Sequence, residues 1–343
     1  MMGRITAAEI AKIAGVSRST VTGVVNDYSF ISDETKKRVK KIIEEYGYEP
    51  HMAARNLAGK NSKILGLFIY HTKEITDSHY YSNLIIDIIN NAQRKGYTVM
   101  TCIIKSDEEK KISKFLQNGT IQGTIISGGR ENEQEIRKLL GTDYKMVLVD
   151  QMNSIDNMKE NIKIVNRDNF RGAYLATDYL IKMGHSEILY ISGSDYRLSA
   201  KERLKGYKKA LEENKIIYNE NLILDGDFSD KRAENTMNKY LENNPLPSAL
   251  FAVNDMSAIG AIRAIKKRGY RIPNDISVIG FDDIYISSQI EPKLTTIKSS
   301  SKKIALESVE KLVQMIDNNN KDIEFKTLID VELIERDTVK KKD

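Results

Sequence analysis

Apolar residues recur along this chain at two spacings, and the change from one to the other falls near residue 62. In the opening stretch "TAAEIAKIAGVSRSTVTGVVN" the spacing is helical, placing Ile10, Ile13 and Ala14 on one face. Thr6 stands as N-cap, with Glu9 three positions later as its capping-box partner. Gly15 suits the left-handed residue that ends a helix, Ser17 caps the next one, and Val21, Val24 and Val25 return at helical spacing. Ala11 lets the two helices cross closely and Val16 closes their shared core, so the pattern predicts a helix-turn-helix. A third helix follows in "SDETKKRVKKIIEEYG", capped by Ser32, with Val39, Ile42 and Ile43 turned inward and Lys36, Lys37, Lys40 and Lys41 on a solvated face. In "YEPHMAARNLAGKNSK", Pro50 and Gly59 bound a short helical strip of Ala53, Ala54 and Leu57 that is too short to hold alone; a plain linker is the alternative.

Beyond residue 62 continuous apolar runs alternate with amphipathic segments. "KILGLFIY", "YTVMTCII", "GTIISGG" and "KMVLVD" read as buried strands, separated by helical stretches such as "YYSNLIIDIINNAQRKG". A second series, "EILYISG", "NLILDGDF", "SALFAVND" and "ISVIGFDD", is separated by helices beginning near Asn169, Ser199, Ser229 and Met256. The expected fold is an N-terminal all-α helix-turn-helix domain plus a two-lobed α/β domain with parallel sheets and a cleft between the lobes. The expected boundaries are 1–50 for the helix-turn-helix domain, 51–61 for the hinge or linker, and 62–343 for the two-lobed domain. Lobe 1 takes about 62–165 and 297–328, and lobe 2 about 166–296 and 329–343.

Composition narrows the function. A chain of 343 residues, 41% hydrophobic and 29% charged, has room for two or three cores. No run of eighteen apolar residues occurs and the start lacks a secretory signal, so a cytoplasmic protein with no membrane partner is expected. The net charge is +5, and residues 1–61 carry ten Lys and Arg against seven Asp and Glu, leaving an excess of only two for the remaining 282. A basic leading segment suits a phosphate backbone. Cys102 is the only cysteine and reads as buried packing. There is no Walker motif, G-x-S-x-G elbow or H-E-x-x-H helix, and His51, His71, His79 and His185 are spaced unlike zinc ligands; His185 reads as the end of a helix. No enzyme and no cofactor is expected. A sugar-acting enzyme or an exported solute receptor is the alternative, and neither has a use for three leading helices.

Candidate chemistry lies in two places. The second helix presents Arg18, Ser19, Thr22 and Asn26 on its free face, with Arg18 and Ser19 at the end that enters a major groove; a structural hairpin with a solvated face is the alternative. In the large remainder, ligands bind beyond the carboxyl ends of strands, which brings forward Ser127, Asp150, Asn254, Asp255, Asp282 and Asp283, although Asp and Asn also favour such places as caps. Arg203 supplies a forked donor, Ser199 a hydroxyl, and Tyr80, Tyr81 and Phe228 an apolar wall.

With these motifs in hand, the chain resembles the lactose-repressor/galactose-repressor (LacI/GalR) family of transcription regulators. The resemblance rests on "ITAAEIAKIAGVSRSTVTGVVN", "YEPHMAARNLAGKNSKILGL", "SVIGFDD" and "PKLTTIK" in that order and covers nearly the whole chain. It implies a periplasmic-binding-protein-like body and a homodimer on double-stranded operator DNA, with a hinge helix that inserts Leu57 at the operator centre. The DNA-binding set it implies is Thr6, Ser17, Arg18, Ser19, Thr20, Thr22, Asn26, Ala53, Ala54 and Leu57. The effector-binding set is Tyr80, Tyr81, Ser127, Asp150, Ser199, Arg203, Phe228, Asn254 and Asp282, while Asp255 and Asp283 look structural. Carboxylates, an amide, a guanidinium and aromatic plates suit a sugar, with a purine or sugar phosphate as the alternative effector. Gly23 stands where relatives carry a longer base-reading side chain, which implies a different operator half-site. The C-terminal "ELIERDTVKKKD" has no apolar heptads, so a dimer without a tetramer-forming helix is expected.

Overall fold

The computed structural model describes residues 5–25, 28–48, 63–70, 79–105, 110–128, 134–151, 160–318 and 323–342. By its contacts the chain forms two compact units, residues 1–63 with 115–122, and residues 64–114 with 123–343.

The first unit begins with three helices, α1 (Ala7–Ala14), α2 (Arg18–Val25) and α3 (Asp33–Glu45). At the start of α1 the Thr6 amide donates to Glu9 Oε2 at 2.7 Å, and the Glu9 amide returns a bond to the Thr6 hydroxyl, so the capping box is closed. Gly15 ends the helix at φ +64°, a conformation that costs glycine nothing. The Ser17 hydroxyl accepts from the Thr20 amide at 3.0 Å and so caps α2. Ile10, Ala11, Ala14, Val21, Val24 and Val39 form the core, with Val16, Ile31, Ile42 and Ile43 packed around it. Ile13 departs from the expected face, being 46% exposed. The inward stripe runs through positions 10, 11 and 14, and at one residue before Ala14 the Ile13 side chain turns past its edge.

The second unit holds two six-stranded sheets. The first contains β1 (Ile64–Tyr70), β2 (Thr98–Ile104), β3 (Gly123–Ser127), β4 (Met146–Val149), β5 (Ile162–Arg167) and, from far along the chain, β11 (Lys326–Ile329), in the order β11-β5-β4-β3-β1-β2. The second contains β6 (Ile188–Ser192), β7 (Ile223–Asp225), β8 (Ala249–Ala252), β9 (Ser277–Asp282), β10 (Thr295–Ser299) and β12 (Val331–Ile334), in the order β12-β10-β9-β8-β6-β7. The two orders are equivalent, so the architecture is duplicated. Every pairing is parallel except β10 with β12, an antiparallel edge beyond the expected all-parallel pattern.

Helices cover both sheets. On the first sheet α4 (His79–Arg94) and α11 (Ser301–Ile316) supply Leu84, Ile88, Ile304, Val309 and Leu312 to one core; α5 (Lys110–Gln117) and α6 (Gln134–Leu140) complete the described helices between its strands. On the second sheet α9 (Asp230–Asn243) and α10 (Asp255–Lys267) bury Met237, Ala261 and Ile265 on one side, while α7 (Asn169–Lys182) and α8 (Leu198–Glu213) bury Ala173, Leu180 and Tyr207 on the other. The chain passes between lobes at Asp168, Ser300 and Asp330.

Two of the runs expected to be buried strands are edge strands. β2 alternates between exposed and partly covered residues until Ile104, and no residue of β7 is buried, because each has a neighbour on one side only. Cys102 on β2 is accordingly half-buried rather than internal. His185 follows the end of α7; it is buried and its Nε2 donates to the Lys340 carbonyl at 3.1 Å, fastening the C-terminal segment to lobe 2. Among the described residues no helix is long and apolar enough to cross a membrane.

Candidate functional site

The exposed end of α2 is a cluster of small hydroxyls. Ser17 Oγ lies 2.7 Å from Ser19 Oγ and 2.8 Å from Thr20 Oγ1, and Arg18 beside them is exposed. Thr22 donates its hydroxyl back to the Arg18 carbonyl at 3.1 Å, which leaves the oxygen lone pairs outward as acceptors. Thr6 is exposed on α1, but its hydroxyl already donates to Glu9 at 2.8 Å, so its role in this unit is the cap. Gly23 does not belong to the outward face. It is buried, and a Cβ there would come within 2.4 Å of Ile31 Cδ1 and 3.3 Å of the Tyr28 ring, so the position packs against the unit's own loop. Asn26, Ala53, Ala54 and Leu57 lie outside the described residues.

In the second unit the carboxyl ends of both sheets meet around Arg167, the last residue of β5. Asp150, just beyond β4, accepts from the Arg167 amide at 3.0 Å through one oxygen and from Arg167 Nε at 2.7 Å through the other. The Tyr80 ring from α4 lies under the same guanidinium, 4.0 Å from Cζ. Arg167 Nη1 then donates across to Asp282 of lobe 2 at 2.8 Å. The side chains of Arg167, Asp150 and Asp282 are only 7%, 9% and 10% exposed, so this is a buried chain of charge rather than a surface pair.

Arg203 reaches the same carboxylate from α8. Its Nη2 lies 3.5 Å from Asp282 Oδ1, its Nε donates to Asn169 at 3.0 Å, its Nη1 donates to the Val253 carbonyl, and its guanidinium stacks 3.6 Å from the Phe281 ring. At 1% exposure it is the largest fully buried side chain among the described residues. Electrostatics separate the two arginines. Burial opposes the Arg167 charge, but Asp150, Tyr80 and Asp282 outweigh it and raise its pKa. Burial dominates at Arg203 and, with Arg167 close by, pushes its pKa down to about 10 despite Asp282.

The remaining candidates sort by what they touch. Ser127 is buried at the end of β3, in register between Ile69 and Val149, and Tyr81 packs edge-on to Tyr80 with ring centroids 5.3 Å apart. Burial raises the pKa of both tyrosines, so both hydroxyls stay protonated. Phe228 lies 4.8 Å from the Arg197 guanidinium and 5.9 Å from that of Arg203, which places its ring at the lobe 2 wall. Ser199 is buried in the first turn of α8. Asn254 is committed to the scaffold: its oxygen accepts the Ser257 amide at 2.9 Å as N-cap of α10, and its Nδ2 donates to the Phe228 carbonyl. It therefore positions Phe228. Asp150, Phe228 and Asp282 all have positive φ, at 52°, 59° and 119°, a strained state that marks places where the fold holds a side chain against its preference.

Asp255 and Asp283 are structural. Asp255 is buried in lobe 2 and accepts from the Ile284 amide at 2.9 Å, Ser287 at 3.2 Å and Thr296 at 2.5 Å, while Asp283 pairs with Arg336. Gly280 makes the first arrangement possible, because a Cβ there would stand 2.2 Å from the Asp255 carboxylate. Burial, then the nearby Asp282 charge, push the Asp255 carboxyl up to about 7 against three hydrogen bonds that favour ionisation. Arg167, Arg197 and Asn169 were not among the expected site residues. The signal for Arg167 was its place at the end of an apolar run, "IKIVNR", that had not been read as a strand.

Residues 6–51 match the family described as bacterial regulatory proteins, lacI family, and residues 177–339 match the periplasmic binding protein-like domain. The HTH-type transcriptional repressor PurR of Haemophilus influenzae (strain PittEE) is 31% identical over 340 residues, covering 98% of each chain. The chain belongs to the lacI family. Among solved structures of the lacI family, a lac repressor dimer bound to operator and the anti-inducer ONPF superposes with a TM-score of 0.85 at 28% identity, covering 98% of this chain and 99% of that one. A sugar-binding transcriptional regulator of the lacI family from Escherichia coli, complexed with phosphate, gives 0.72 at 28% identity over 82% of this chain and all of the other. As a lacI family member the chain is a DNA-binding regulatory protein controlled by a small-molecule effector, not an enzyme.

Proposed function

We propose that this protein is a homodimeric transcriptional repressor in which residues 1–50 read a pseudo-palindromic operator, residues 51–61 form a hinge, and residues 62–343 bind the effector and dimerise. The observation that carries it is the pairing, in one chain, of an exposed Arg18-Ser19-Thr20 helix end with a buried Asp150-Arg167-Asp282-Arg203 cluster between two lobes. Short donors and acceptors at a helix N-terminus suit base edges and phosphates, with Ala53, Ala54 and Leu57 taking the minor groove. The protein works in the cytoplasm, where its operator is. The effector is a sugar: hydroxyls bridge carboxylate and guanidinium while Tyr80, Tyr81 and Phe228 cover a ring. A purine is the second reading, favoured by the same aromatic walls and by the PurR relatives.

The test is selection of fragments from the source genome by the full chain, followed by titration of the retained fragment at rising salt. Specific retention with a steep loss of affinity as salt rises supports the reading. Absence of retention at low ionic strength rejects it. A thermal-shift screen over pentoses, hexoses, disaccharides, sugar phosphates and purine bases decides the effector class.

A further inference from the structure

We propose that Arg167 is the specificity-determining residue of the cleft and its latch: an internal cation that occupies both cleft carboxylates and ties lobe 1 to lobe 2 through Asp282. The inference rests on the cleft being an effector site and adds how that site is regulated. Arg167 is anchored entirely in lobe 1, on both oxygens of Asp150 and on the face of Tyr80, and only Nη1 leaves that lobe to meet Asp282 at 2.8 Å. Asp282 already lies beside Arg203 of its own lobe at 3.5 Å. One carboxylate oxygen therefore serves two buried guanidiniums from opposite lobes, and it is the bond that separates when the lobes move apart. While Arg167 stays in place it holds both oxygens of Asp150 and shares Oδ1 of Asp282 with Arg203.

An effector that uses this cleft has to give Asp282 a donor and Arg167 an acceptor at the same moment, or a buried charge is left without compensation. A pair of neighbouring hydroxyls does both, since each hydroxyl donates and accepts. A hydroxyl inserted into the 2.8 Å bond replaces it with two bonds in series, spanning roughly 5 Å. Lobe separation is thus coupled to ligand entry at this bond. Tyr80, whose ring lies 4.0 Å from the Arg167 guanidinium, has a buried hydroxyl without a hydrogen-bond partner among the described residues.

The test needs neither DNA nor effector, so its failure is distinct from failure of the repressor reading. Nitroxides are placed on the full chain at two exposed positions, Gln93→Cys in lobe 1 and Lys239→Cys in lobe 2, in a Cys102→Ser background diluted with unlabelled chain, and the interlobe distance is read by pulsed electron resonance. The unsubstituted cleft should give one narrow distribution. Arg167→Met, which keeps length without charge, should broaden it and move it outward by a few ångströms. Asp282→Asn, which attacks the same bond from the other lobe and tolerates the positive φ, should do the same, and the double variant should add nothing further. If one variant fails to fold by circular dichroism, the other decides. Distributions that superpose on the unsubstituted one, or single effects that add in the double variant, overturn the proposal.

Discussion

The exposed hydroxyl-bearing end of α2 and the buried charge cluster between the lobes are built in opposite ways. The first is made of neighbours in sequence, Ser17 to Thr22, whose side chains bond to one another and to their own helix, and among the described residues of the three-helix region no ionisable side chain is buried. The second is assembled from residues 80, 150, 167, 203 and 282, each from a different element or the turn just beyond it, and its charges are almost wholly removed from water. A local surface of this kind tolerates substitution with little cost to folding, whereas a buried charge cluster makes recognition and stability depend on the same groups.

The largest effect expected from that difference is at Arg203. Arg203→Ala leaves Asp282, Asn169 and the Val253 carbonyl with fewer partners and a void beside Phe281, so urea unfolding of the two-lobed unit should show a loss of about 3–5 kcal/mol. A loss below about 1 kcal/mol, the range of surface substitutions, would erase the contrast. Next in size is the pH dependence of lobe 2. The Asp255 carboxyl sits at about 7 when folded and lower when unfolded, so the folded state holds the extra proton and the penalty for ionising it grows as pH rises towards 7. Stability should fall with a slope on the order of 1.4 kcal/mol per pH unit between about 4 and 7, and Asp255→Asn should remove that slope in thermal melts across the range. The helical region has the opposite sign. Hydrogen bonds from the Thr6 backbone and hydroxyl hold the Glu9 carboxyl below its usual range, so its contribution is present above that range and lost on acidification.

Arg18→Ala should weaken operator binding by about 1–3 kcal/mol in a gel-shift titration without moving the melting temperature; unchanged affinity removes Arg18 from the contact set. The smallest effect is at the cap, where Thr6→Ala should cost the helical region about 1 kcal/mol by chemical denaturation and leave effector binding untouched.

The same contrast explains what could be read in advance. Helix starts, the turn at Gly15, the capping box and most of the strands follow from spacing within ten residues, and they stand where the pattern placed them. Ile13 was misplaced because a face on an eight-residue helix is decided by its partners as much as by its period. β5 and β10 to β12 escaped because their runs are short or interrupted by polar residues such as Asn166 and Lys298, and their burial comes from strands far away in sequence. The cleft aspartates were visible as polar ends of apolar runs. Arg167 was not, since an arginine after "IKIVN" becomes a bridge only once β5 lies next to β4 and lobe 2 brings Asp282 within 2.8 Å.

The claim that one end of the chain grips DNA under the control of a ligand held in the other is tested most directly by measuring their coupling from both sides. Operator affinity is taken by fluorescence anisotropy with and without the compound that stabilises the protein in the thermal screen, and affinity for that compound by calorimetry with and without operator. The account predicts the same factor, about 5- to 150-fold, in both measurements. Two affinities that each ignore the other ligand would contradict it.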